Sequence, residues 1–163
     1  MTDRQPTTRF HLVFGWWSLL LFLSLGISLE AMSLLKVSWY SSPDHEVRRL
    51  MWRLGHAHGT LLSVVHIALA ITLFQGSGIH PWQKWGSKCL TGASVLLPGG
   101  FLLGGAYHFE GDPGPGVFVV PIGALLLLVG VFVVAKGAGK GTTGKGKGNR
   151  EGKWKGEVER EKD

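Results

Sequence analysis

Long apolar runs alternate along the chain with short polar joints. Four runs stand out, at residues 10–35, 54–75, 85–107 and 117–135. Each is close to the ~20 residues that a helix needs to cross a hydrocarbon core at about 1.5 Å per residue. A soluble four-helix bundle would need polar outward faces, yet the run from Val117 to Ala135 holds no charged residue. The pattern therefore predicts an all-α fold, an integral membrane four-helix bundle occupying residues 1–135. The first run begins after Arg4 and Arg9, as a signal peptide would. It exceeds the ~7–15 residues of a signal-peptide apolar core and no small-residue cleavage site follows, so it reads as a first span.

The joints carry their own signals. In "SSPDHEVRRLMW", Ser42 is a candidate N-cap, Pro43 suits the first helical position, and Asp44 and Glu46 suit the first turn. The second helix is expected to begin there, outside the membrane, and then enter it. Residues 136–163 are different material, rich in Gly and Lys and poor in apolar side chains, and are expected to form a disordered tail.

Charge orients the spans. Of the 17 Lys and Arg residues, all but Lys36, Arg48, Arg49 and Arg53 fall on the side of the termini in a four-span chain. The positive-inside rule then places both termini on the cytoplasmic side. Trp16, Trp17, Trp82 and Trp85 mark the inner surface, and Trp39, Tyr40, Trp52 and Tyr107 the outer one. Lys136, Lys140, Lys145, Lys147 and Arg150 form a basic segment just beyond the last span, suited to anionic lipid headgroups. No folded nucleic-acid-reading module accompanies this charge, so nucleic acid is not an expected partner. The single cysteine, Cys89, permits no internal disulfide.

Ionisable groups within spans are costly and therefore informative. Counting about 1.5 Å per residue from the outer aromatic belt places Glu30 about 13 Å deep and His56 and His58 about 6 and 9 Å deep. His66 lies about 21 Å down. His108 rims the outer mouth, and Gly99, Gly100, Gly104 and Gly105 lie beside this layer, where small residues let helices approach closely. Two residues apart on a helix means about 200° of rotation, so His56 and His58 cannot chelate one ion from a regular helix. His56 instead shares a polar stripe with Arg49, Arg53, Thr60 and Ser63, flanked by His66. The expected pairings are Glu30 with His56, His58 or Arg53, and His108 with another histidine.

Three roles fit this constellation. Glu30, His56, His58 and His108 are candidates to hold a metal or haem, with haem b, copper and zinc the chemically suitable groups. Alternatively the cluster is helix-packing glue in a structural or assembly subunit, as a homo-oligomer or with a partner. A third role is proton or small-solute transport, with Glu30 and His66 as steps. No nucleophile elbow, phosphate-binding loop or dinucleotide fingerprint is present, and the reading is of a non-catalytic protein. The order "LEAMSLLK", "RRLMWRLGHAHGTLL", "LLPGGFLLGG" and "GDPGPGVFVVPIGALLLL" resembles small four-span membrane proteins of bacteria with no assigned activity. That resemblance covers about residues 10–135 and implies a four-helix inner-membrane protein, without site residues to carry over.

Overall fold

The computed structural model describes residues 4–75, 81–109 and 111–138. Among them the fold is all-α, and four helices are long and apolar enough to cross a membrane. Helix α1 covers Arg4–Leu34, a one-turn helix α2 Ser38–Ser41, α3 Glu46–Gln75 and α4 Pro81–Ala106. The fourth span, Pro115–Ala138, is here called α5. Its start, Pro115–Val119, is a tight 3-10 turn. The protein is thus a multi-pass helical bundle. It has a terminal end, where α1 and α4 begin and α3 and α5 finish, and a hairpin end formed by the α1–α3 and α4–α5 connections.

Local sequence explains the boundaries. Helix α1 stops where the Val37 N–H bonds the Met32 carbonyl and the Lys36 N–H bonds the Ser33 carbonyl, with Lys36 at φ 50°. This is a Schellman closure with lysine where glycine is usual. The α3 helix is entered through the 3-10 turn Pro43–His45, where proline's fixed φ is an advantage. Ser42 occupies the cap position, but its hydroxyl makes no capping bond. Its carbonyl works instead, accepting from the His45 N–H and from Arg49 Nη1. The α4–α5 joint folds back through paired Phe109 and Asp112 backbone bonds, with Gly111 at φ 89°.

Each long helix packs on the next. Leu69 and Leu73 of α3 meet Leu90 of α4, with Trp82, Leu127 and Val134 against them. The middle helices α3 and α4 are the more buried pair, whereas α1 and α5 turn rows of large apolar side chains outward, among them Trp17, Ile27, Leu128 and Phe132. Such faces suit a hydrocarbon surrounding, where they need no protein cover. Helix α5 runs to Ala138, past the expected boundary at 135, with Gly137 against Trp82. Lys136, one of the expected headgroup contacts, lies 5.2 Å from the Phe132 ring. Lys140, Lys145, Lys147 and Arg150, and the expected disorder of the tail, lie outside the described residues.

Candidate functional site: a buried imidazole pair

The α1–α3 interface carries a polar seam. Part of the stripe on α3 faces α1: Ser63 meets Ser18 at 2.8 Å between hydroxyl oxygens, and His66 meets His11. The reason is helical spacing, since residues three and four apart stack on one face. Ser63 donates to its own Gly59 carbonyl at 2.7 Å, so Ser18 is the donor to Ser63.

At the terminal end the seam becomes a chain of four side chains. His11 Nδ1 and His66 Nδ1 lie 2.7 Å apart, and both residues are 0% exposed. His11 Nε2 is 2.7 Å from Ser87 Oγ, and His66 Nε2 is 2.9 Å from Ser94 Oγ. Ser94 donates to the Leu90 carbonyl at 2.9 Å. Gln83, Ser87 and Ser94 follow one another at spacings of four and seven on α4, one face of that helix. Three helices therefore contribute: α1 gives His11, α3 gives His66 and α4 gives the serines. Phe14 closes one side, its ring centroid 4.6 Å from that of His66.

The hydrogens follow from this network. Ser94 spends its proton on Leu90, so its oxygen accepts from His66 Nε2–H. His66 Nδ1 is then an acceptor, His11 donates through Nδ1–H, and His11 Nε2 accepts from the Ser87 hydroxyl. Every polar atom is satisfied with both rings neutral, as a site out of reach of water requires. Adding one proton keeps every imidazole nitrogen bonded, while the Ser87 hydroxyl hydrogen has to turn away from His11 Nε2. Both Nε2–H groups then donate to serine oxygens while one hydrogen bridges the two Nδ1 atoms. The same heavy-atom positions thus hold zero or one extra proton.

The residues singled out from the sequence do not share one site. His56 turns to α1, where its Nδ1 bonds the Phe22 carbonyl at 2.8 Å. His58 bonds back to the Leu54 carbonyl of its own helix at 2.8 Å and lies against Phe101. Glu30, expected to pair with His56, His58 or Arg53, is exposed and meets none of them; Arg53 is exposed too. Thr60 Oγ1 is buried without a hydrogen-bond partner. His108 does meet a histidine, His45, with ring centroids 5.4 Å apart. Among the described residues no three His, Cys, Asp or Glu side chains converge to hold a metal. Three of the glycines are close-packed: Gly100 against Val120 and Gly116, Gly104 against Val117, Gly105 against Trp52 and Met51. Gly99 faces open space instead.

Sequence reasoning passed over His11, Ser87, Ser94 and His45. His11 was visible as an ionisable residue inside the first apolar run, one position past its start. The serines were not, because a lone serine in a span commonly bonds its own helix.

The class defined so far is a multi-pass helical membrane protein with a buried, hydrogen-bonded histidine pair. No protein-family model, curated protein or solved structure matched the chain.

Proposed function

We propose that the protein carries protons in a bacterial inner membrane, with both termini cytoplasmic and the His11–His66 pair as the group that holds the proton. One observation carries this reading: two fully buried imidazoles bonded Nδ1 to Nδ1 at 2.7 Å, each with a serine at its other nitrogen. A proton delivered at His11 Nε2 can leave from His66 Nε2 by shifting the bridging hydrogen; both rings are then left in the reversed tautomer and must be reset before the next proton passes the same way. Glu and His chains recur in membrane proton relays. Along the seam, Ser18, Ser63 and His56 continue the polar line toward the hairpin end. The asymmetry of Lys and Arg between the two ends supports the orientation.

The test is proton flux in proteoliposomes of the full chain under an imposed membrane potential. Wild type is expected to exceed empty vesicles, and His11→Gln and His66→Gln to fall to the empty-vesicle level while eluting as monodisperse, helical protein. Glutamine keeps a polar group in each position but has no basic nitrogen to take up a proton. Glu30→Gln is expected to conduct like wild type. A wild type indistinguishable from empty vesicles, or glutamine variants that conduct equally well, would overturn the reading.

A second reading has its own observation. Glu30 lies in a candidate span, is exposed and has no partner among the described residues. A carboxylate in that position favours a polar contact from a neighbouring chain, as in an assembly subunit or homo-oligomer. It predicts a complex that survives purification in mild detergent and dissociates on Glu30→Leu; a monomer under all such conditions removes it.

A further inference from the structure

The hairpin end holds a second cluster, distinct from the proton site. Arg48 is 8% exposed, yet no carboxylate pairs with it among the described residues. Its Nη1 donates to the Trp39 carbonyl at 2.8 Å, its Nε contacts the Gly105 carbonyl at 3.4 Å, and its guanidinium carbon sits 4.2 Å from the Trp39 ring centroid. Carbonyls and an aromatic face satisfy donors but do not neutralise a buried cation, which ordinarily needs a counter-charge. Three residues earlier on the same face is His45, and across from it is His108, held by the α4–α5 turn. His45 Nδ1 and both ring nitrogens of His108 are buried and have no hydrogen-bond partner.

We infer that Arg48, His45 and His108 form a binding site for a phosphate group at the hairpin end of the bundle. The donor set matches an oxyanion: a guanidinium supplies the charge and the imidazoles supply N–H groups, which shorten and strengthen against an anionic oxygen. A divalent metal fits less well, because Arg48 repels it. The aromatic residues around the cluster, Trp39, Trp52 and Tyr107, are of the kind that sit at headgroup level. The phosphodiester of an anionic phospholipid and free inorganic phosphate offer the same chemistry, and the measurement separates them.

Full-length protein in neutral detergent is stripped of lipid and its melting temperature is followed with dioleoyl phosphatidylglycerol, dioleoyl phosphatidylcholine or inorganic phosphate. Because Arg48→Gln also removes bonds to Trp39 and Gly105, the informative variant is the double substitution His45→Gln, His108→Gln. The basic tail is unchanged in it. Phosphatidylglycerol is expected to stabilise wild type more than phosphatidylcholine, with about tenfold weaker binding in the double variant. The same variant-sensitive stabilisation by inorganic phosphate alone would assign the site to free phosphate. Equal stabilisation of wild type and double variant by every phosphate source would overturn the inference.

Discussion

His56 and Gly26 occupy one space between α1 and α3: the imidazole lies where a side chain on residue 26 would stand. From there its Nδ1–H donates to the Phe22 carbonyl one turn away, at 2.8 Å. The bond and the glycine are thus one device. Gly26→Ala is expected to lower stability by about 1–3 kcal/mol, the usual cost of overpacking. His56→Ala removes an interhelical bond worth roughly 0.6–1.7 kcal/mol within a membrane bundle. The two losses are expected to be less than additive, because removing the ring also removes the conflict with alanine. Unfolding of all four chains in a denaturing detergent series measures this, and strict additivity would refute it.

Adjacent glycines on α4 are expected to respond with opposite sign. A Cβ on Gly99 would meet nothing within 4 Å, whereas one on Gly100 would lie 2.9 Å from the Gly116 carbonyl and 2.8 Å from Val120. Gly99→Ala should therefore gain up to about 1 kcal/mol from helix propensity. Gly100→Ala should lose about 1–3 kcal/mol, since a backbone atom of α5 cannot step aside as a flexible side chain can. Melting of the two single variants decides the matter. Equal behaviour would mean that α5 does not press on α4 at this turn.

The number and rough placement of the helices were legible because each has to be apolar over about 20 residues to suit a membrane. Rotation was legible too. The 100° step that separated His56 from His58 sends one to α1 and the other back along its own helix. Which helices face each other is another kind of information. Depth counting put Glu30, His56 and His58 in one layer with His108 at its rim, but a layer has a perimeter as well as a height, and Glu30 stands on the outside of it. His11 and His66 are 55 residues apart in the chain, and their meeting depends on how α1 turns against α3. Gly15 fixes part of that turn, since Ile67 fills the space beside it. No periodicity within either helix encodes that contact.

The Ser18–Ser63 contact tests whether the seam holds the helices together. Its hydroxyl oxygens are 2.8 Å apart, and Ser63 also bonds its own helix. A double-mutant cycle with Ser18→Ala and Ser63→Ala is expected to give a coupling of about 0.6 kcal/mol, typical of interhelical hydrogen bonds in membranes. A coupling of zero would show that Ser63 is satisfied by Gly59 alone.

Acid should weaken the hairpin end through His108. Desolvation, with the nearby positive charges of Arg48 and His45 adding to it, holds its affinity for protons below the ordinary imidazole value near 6.5. The unfolded chain therefore takes up this proton first as pH falls. The contribution to stability is full above the ordinary value, declines as pH drops from there, and is lost once pH has passed through the folded value. His45 and Arg48 face His108 across the cluster, and Asp112 is exposed in the same turn. The slope is therefore assigned to His108. Lipid-free wild type is expected to lose more melting temperature between pH 8 and pH 5 than His108→Gln does. A bound phosphate acts in the opposite sense by favouring imidazolium, so added phosphatidylglycerol should shrink that difference. Parallel melting curves for wild type and variant across the range would exclude a titrating His108.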